Sequence, residues 1–448
     1  MRSRYGSPGA VGRAKLAPTG HNGPVSTPAL AALADFVPDA VARLRGVTQT
    51  TPLQRNARLS SASGAEVWVK REDLQPVRSY KLRGAYNLMS QLTDAERTSG
   101  VVCASAGNHG QGVAWSCAHL GIRGRIFVPT TTPRQKRERM IALGQGWIEL
   151  VIIGENYDRA AAAAKMSAAA TGATLVPAFD DLRTAAGQAT VAVEIVEQLG
   201  AAPDVLLVPV GGGGMAAGCA AWFRVHHPGT RIIGVEPSGA ACMAAALAAG
   251  HPVTLPEIDT FCDGAAVARA GDVTFPLVRA AEMELVRVPE GQLCAEMLSL
   301  YQTDGIIAEP AGALATSVLP GSPTGSRVQV APGSTVVAIL SGGNNDVLRY
   351  AEIVERALVH EGRKRYLLVN FPQEPGALRR FLDEVLGPDD DITYFEYVKR
   401  NNRETGPALV GVELGDPAAF PAFLKRLESS NMQVEIVNAD SPFYRFLV

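Results

Sequence analysis

The chain has 448 residues, enough for two or three domains. Hydrophobic residues make up 47% and charged residues 19%, so a large core is available and wholesale disorder is excluded. Forty-two basic against forty-four acidic side chains leave a net charge of −2, without the basic excess of a nucleic-acid-binding protein, and no apolar run reaches the ~18 residues of a membrane helix.

Residues 1–28 are rich in Gly, Pro, Ser and Arg and carry no hydrophobic period, which predicts a flexible tail. The first acidic residue is Asp35, so the tail is basic in the manner of a transit peptide. Gly and Pro interrupt any amphipathic helix there, and a plain extension is the expectation. The six cysteines are scattered without a C-x-x-C pair, and the seven histidines show no zinc spacing. Reduced thiols in a cytoplasmic protein are expected, with no metal site.

From 47 to 358, short β-branched runs alternate with longer Ala-rich stretches. Strands are predicted at 67–69, 101–103, 125–128, 149–153, 205–210, 231–235 and 335–340, with helices at 157–170 and 187–199. Buried parallel strands with helical crossovers, an α/β architecture, follow from this pattern, and such sheets place ligands at the carboxyl ends of strands. A last region, 364–440, reads as strand 366–370, a helix bearing Leu378, Phe381, Leu382 and Val385, strands 391–398 and 408–414 around a turn at Asn401 and Asn402, helix 420–427 and strand 433–437. That βαββαβ order is ferredoxin-like.

Four sites stand at strand ends. Ser79-Tyr80-Lys81-Leu82-Arg83-Gly84-Ala85 sets a lysine among apolar and small residues, where desolvation frees the amine for Schiff-base chemistry; a surface lysine at a helix start is the alternative. Ala104 through Gly112, reading A-S-A-G-N-H-G-Q-G, is a turn into a helix whose N–H groups suit a carboxylate, or an ordinary βα turn. Gly211-Gly212-Gly213-Gly214-Met215 lets the backbone wrap an anion, or simply turns tightly. Ile339-Leu340-Ser341-Gly342-Gly343-Asn344 is the fourth, with the same alternative.

In this order the motifs resemble those of the threonine dehydratase family, fold-type-II pyridoxal-phosphate enzymes of the tryptophan synthase β-like, two-subdomain kind. The resemblance runs from about Thr51 to Arg349, and the last region is similar to the family's single ACT-like regulatory domain. It implies that Lys81 bonds the cofactor aldehyde, that Asn108 holds the ring hydroxyl, and that Gly211, Gly212, Gly213, Gly214 and Met215 hold the phosphate. Glu309 would lie beside the ring, Ser341 would face the pyridine nitrogen, and Ser105 and His109 would seat the substrate carboxylate. The implied reaction is dehydration and deamination of L-threonine to 2-oxobutanoate and ammonia, the first step of isoleucine biosynthesis, with isoleucine as effector.

The implied assembly is a homo-oligomer, a tetramer or dimer. Serine dehydratase and serine racemase are alternatives on the same fold. Racemases of this type carry a serine two residues before the loop asparagine, where this chain has Ala106, and a metal site beginning at the position of Glu236 expects a carboxylate where this chain has Cys242. The first departure favours elimination over racemisation and the second predicts no such metal site, while L-serine stays open as a substrate because one methyl group discriminates by only ~1–3 kcal/mol. Threonine synthase and a non-catalytic amino-acid sensor are the remaining alternatives; a sensor has no use for Lys81. Glu374 through Leu378 is the expected effector loop.

Overall fold

The structure is a computed structural model describing residues 27–323, 328–397, 404–430, 432–438, 441 and 447. Most of the expected N-terminal tail and the expected turn at Asn401 and Asn402 lie outside the described residues. The strands of the first region are β1 (Leu53–Arg55), β2 (Glu66–Arg71), β3 (Val101–Ala104), β4 (Gly124–Val128), β5 (Ile148–Ile152), β6 (Thr174–Leu175), β7 (Val205–Pro209), β8 (Arg231–Pro237), β9 (Glu284–Val288) and β10 (Thr335–Leu340).

They form two sheets. The larger has the order β1-β2-β10-β7-β8-β9, parallel except for β1, and the smaller the all-parallel order β5-β4-β3-β6. Successive residues of the central strands enter opposite cores. Val205, Leu207, Val336, Ala338 and Leu340 join one, while Leu206, Val208, Val337 and Ile339 join the other. Both faces are covered by helices, which is why these strands read as unbroken apolar runs rather than alternating ones.

The first region packs helices that begin upstream of residue 47. Helices Thr27–Asp35 and Val37–Leu44 bury Leu30, Leu33, Val37, Ala40 and Leu44, so residues 27 and 28 belong to a packed helix and not to the expected tail. The cause is the helical spacing of those five residues, which lays one apolar stripe on the core.

The helix Lys81–Met89 is pinned by a buried charge network. Arg83 grips Glu72 with two hydrogen bonds of 2.8 Å and Glu194 with bonds of 2.6 and 2.9 Å. Lys70 donates to Glu194 at 2.6 Å and to the Thr51 carbonyl at 2.8 Å, and the Thr51 hydroxyl donates to Glu72 at 2.6 Å. Burial alone would push the Glu72 carboxyl up, but the Arg83 guanidinium holds it below its ordinary value. The helix Leu182–Leu199, which supplies Glu194, is itself fixed at its start by Asp181 accepting from the Arg183 N–H and at its end by Gly200 in the left-handed region.

The C-terminal strands are β11 (Lys364–Pro372), β12 (Asp391–Tyr397), β13 (Thr405–Glu413) and β14 (Gln433–Val437). They pair antiparallel in the order β12-β13-β11-β14, the ferredoxin-like topology. One face is covered by Phe381, Val385, Phe423 and Leu427 from its two helical segments.

Glu194→Ala should strand Lys70 and Arg83 with one carboxylate between them and cost about 3–5 kcal/mol. Urea unfolding followed by circular dichroism should show the lower midpoint. The part of the network's stability that rests on Glu72 is full above the unfolded carboxyl value and is lost as pH falls through the lowered folded one.

Candidate functional site

Lys81 is the first residue of its helix, and the segment before it is stitched to the end of β10. The Tyr80 N–H donates to the Ser341 carbonyl at 3.1 Å, and the Gly343 N–H donates to the Arg78 carbonyl at 2.9 Å. The Lys81 Nζ donates to the Ala178 carbonyl at 3.1 Å. Burial pushes its pKa down to about 8 from the ordinary 10.5, against the opposing pull of the Glu309 carboxylate. A large fraction of this amine is therefore neutral just above physiological pH, the state a nucleophile requires.

Three side chains from distant parts of the chain meet beside it. Asn108 opens the helix Asn108–Leu120 and its Nδ2 donates to Glu309 Oε1 at 2.5 Å. Its Oδ1 accepts from Asn344 Nδ2 at 2.8 Å. Glu309 is buried and its carboxyl is raised to about 7, by burial first and then by the Asp263 charge, with the Asn108 hydrogen bond pulling the other way. Ser341 is buried at the end of β10 and its hydroxyl donates to the Ala311 carbonyl at 3.1 Å.

The four-glycine turn leaves β7 and enters the helix Gly214–His226, whose start has no side-chain cap. Gly213 sits at φ +96°, a conformation that favours glycine, and a Cβ on Gly212 would lie 2.4 Å from the Phe179 ring. Phe179 follows Ala178, so the residue that accepts from Lys81 adjoins the ring packed on this turn. The Thr274 hydroxyl donates to the Gly212 carbonyl at 2.6 Å and fixes the turn from the other side.

Ser105 accepts from the Gly107 N–H at 3.2 Å, shaping the loop before Asn108. The His109 Nε2 lies 2.7 Å from the Val176 carbonyl, and since a carbonyl only accepts, that nitrogen carries the proton. Burial, and then the Lys81 charge, lower its pKa to about 4, so the ring is neutral at working pH. Glu236 uses its carboxylate as a cap, accepting from the Met243 and Ala244 N–H groups at 2.8 and 2.9 Å, while the Cys242 thiol reaches the Gly211 carbonyl at 3.5 Å.

Of the residues singled out in the sequence, Asn108 is hydrogen-bonded to Glu309, whose carboxyl acts on Lys81, and Gly212 packs on the Phe179 that follows the Lys81 acceptor Ala178. The contacts around them also use Asn344, named in the sequence only as the end of its motif, and Ala178, Phe179 and Thr274, which were not named. Asn344 closes the S-G-G-N run and was within reach of sequence reasoning. The other three act through a carbonyl, a ring edge and a hydroxyl, which leave no motif.

A concavity of about 920 Å³ lies in the C-terminal region between the expected effector loop and the sheet. Phe371, Glu374, Leu378, Leu382, Phe395 and Tyr397 line it, and Leu378, Leu382 and Phe395 keep more than a third of their surface exposed.

Comparison with known proteins agrees with both regions. Residues 44–342 match the family described as pyridoxal-phosphate dependent enzyme, and residues 355–447 match the C-terminal regulatory domain of threonine dehydratase. The chain is 55% identical to the L-threonine dehydratase biosynthetic IlvA of Mycobacterium tuberculosis, covering 95% of this chain and 98% of that one. It is 46% identical to the Bacillus subtilis protein of the same name, covering 90% and 95%. Among solved structures it resembles the processed form of threonine deaminase isoform 2 from Solanum lycopersicum, with TM-score 0.69, 37% identity and coverage of 76% and 96%. Maize serine racemase gives TM-score 0.66 at 29% identity, covering 73% and 98%.

The residues present suit pyridoxal phosphate. A desolvated lysine amine, a glycine turn that a Cβ would obstruct, an uncapped helix start and a buried Ser79 hydroxyl without a hydrogen-bond partner are groups such a cofactor can use. Because only the neutral amine attacks an aldehyde, capture of added cofactor by apoprotein should accelerate as pH rises through about 8. Stopped-flow visible absorbance measures it, and a midpoint near 10.5 would mark an ordinary exposed lysine.

Proposed function

The chain belongs to the pyridoxal-phosphate dependent enzyme family, and on that premise we propose that it is an L-threonine ammonia-lyase controlled by isoleucine through its C-terminal domain. It converts L-threonine to 2-oxobutanoate and ammonia, the first step of isoleucine biosynthesis. The observation that carries this reading is the partly buried, hydrogen-bonded amine of Lys81 flanked by the glycine turn and Asn108, in a chain 55% identical to relatives named for that activity.

Pyridoxal phosphate, held by Lys81, supplies an electron sink that acidifies the substrate Cα–H. The Lys81 Nζ takes the Cα proton, and its depressed pKa raises the unprotonated fraction available for that task. Asn108 has one Nδ2–H engaged with Glu309 and a second to offer the cofactor's ring hydroxyl. The N–H groups of Gly211 through Met215, with the positive end of the helix Gly214–His226, hold the phosphate. Ser341, by turning its O–H from the Ala311 carbonyl, offers the ring nitrogen a hydroxyl in place of a carboxylate, a weaker polarisation that favours prompt departure of the β-hydroxyl over other outcomes.

Ser105 and the neutral His109, with the N–H groups of their loop, seat the substrate carboxylate. Loss of the Cα proton and the β-hydroxyl leaves an enamine, which water hydrolyses to the 2-oxo acid and ammonia. Ala106 stands where a racemase needs a proton-carrying group on the opposite face, and it carries none. That favours elimination over the racemisation named in the maize relative.

For regulation, the half-exposed Leu378, Leu382 and Phe395 offer a branched aliphatic side chain an apolar wall beside the Glu374–Leu378 loop. Isoleucine acts only by binding one arrangement of the domains better than another. Purified enzyme should form 2-oxobutanoate from threonine in a coupled assay, and Lys81→Ala should form none. Leu382→Asp should raise the isoleucine concentration needed for half-inhibition at least about tenfold, one lost apolar contact being worth ~1.4 kcal/mol or more. Turnover without isoleucine should remain at the parent level; unchanged inhibition would place the effector elsewhere.

A further inference from the structure

Asn344 ends the fourth strand-end motif and has no part in the chemistry so far. Its side-chain Nδ2 donates to Asn108 Oδ1 at 2.8 Å and to the Val77 carbonyl at 2.8 Å. Its main-chain N–H faces the Glu309 carboxyl closely enough to pull that carboxyl's pKa down. One residue thus touches the segment that carries Lys81, the loop asparagine and the acid beside it.

An asparagine amide presents an acceptor on one side and a donor on the other, and nothing in its shape decides between the two orientations. Around Asn108 the choice rests on its neighbours. Glu309 Oε1 accepts at 2.5 Å on one side, and Asn344, whose amide nitrogen is an obligate donor, closes the other. Asn344 cannot turn its own amide around, because the Val77 carbonyl requires a donor as well.

We propose that Asn344 is a positioning residue that locks the Asn108 amide with its Nδ2–H groups toward Glu309 and the cofactor, so that the cofactor's ring oxygen always meets a donor. This rests on the reading that pyridoxal phosphate is bound at Lys81. Losing the lock lets the amide turn its oxygen toward the ring oxygen, which then keeps its own proton. The bound cofactor shifts toward the neutral, near-ultraviolet-absorbing form, and the visible band weakens.

The test uses holoenzyme without substrate. Absorbance spectra are recorded for the parent, Asn344→Ala, Asn108→Ala and the double variant, with Asn344→Asp added because it keeps the shape but replaces the donor by an acceptor. The expected result is a loss of visible absorbance to the near-ultraviolet band in each single variant, with no further loss in the double, since the two residues act as one unit. Full visible absorbance in Asn344→Ala and Asn344→Asp, with only a lower unfolding midpoint, would overturn the proposal and leave Asn344 a structural link. Additive shifts in the double variant would overturn it too. A parent enzyme with no visible band after saturation with cofactor would instead overturn the reading of Lys81 beneath it.

Discussion

The catalytic region depends on stripping part of the water from one amine. Water stabilises an ammonium strongly, and lowering the Lys81 pKa from 10.5 to about 8 corresponds to roughly 3 kcal/mol taken from the charged form, at ~1.4 kcal/mol per pH unit. That cost is met by the fold around the helix start. Two residues beyond Lys81, Arg83 is clamped by Glu72 and Glu194, so the helix cannot tilt its first turn toward solvent without breaking a buried network. Glu309 works in the opposite sense, since its charge would favour the ammonium. Its own raised pKa, near 7, limits that pull.

The same economy of contacts shows in the loops. Loops after β3, β7 and β10 each follow a parallel strand, and those after β3 and β10 are joined through Asn108 and Asn344. Each is tied to a neighbour by a main-chain or amide hydrogen bond rather than by a charge: Tyr80 to Ser341, Asn344 to Asn108, Thr274 to Gly212. Glu309 is the one carboxyl bonded into this set, accepting from Asn108, and its raised pKa leaves it partly neutral near pH 7. The C-terminal domain is joined by the helix Tyr350–His360, on which Glu355 accepts from Lys364 and Tyr366 at 2.6 and 2.7 Å, so the junction is held by polar contacts that rearrange more readily than an apolar core.

Much of this was legible in the sequence because parallel strands bury both faces and therefore announce themselves as apolar runs ending in glycine- or serine-rich loops. Lys81, Asn108, Gly211–Met215 and Ser341 all fall at such ends. The short strands β1 and β6 were not visible, since two or three residues carry no period, and β9 is interrupted by charges at its exposed positions. The helices Thr27–Asp35 and Val37–Leu44 did carry a period, through Leu30, Leu33, Val37, Ala40 and Leu44, but the proline-rich segment before them masked it. Ala178 and Phe179 could not have been found: one contributes a carbonyl and the other a ring edge, and only the folded chain brings them to Lys81 and Gly212.

The most direct measurement is reduction of the holoenzyme with borohydride, followed by proteolysis and mass spectrometry to locate the pyridoxyl group. A single modification on the peptide containing Lys81 is the predicted result. Modification at Lys70, Lys136 or any other lysine with Lys81 left bare, or no modification at all, would contradict the account.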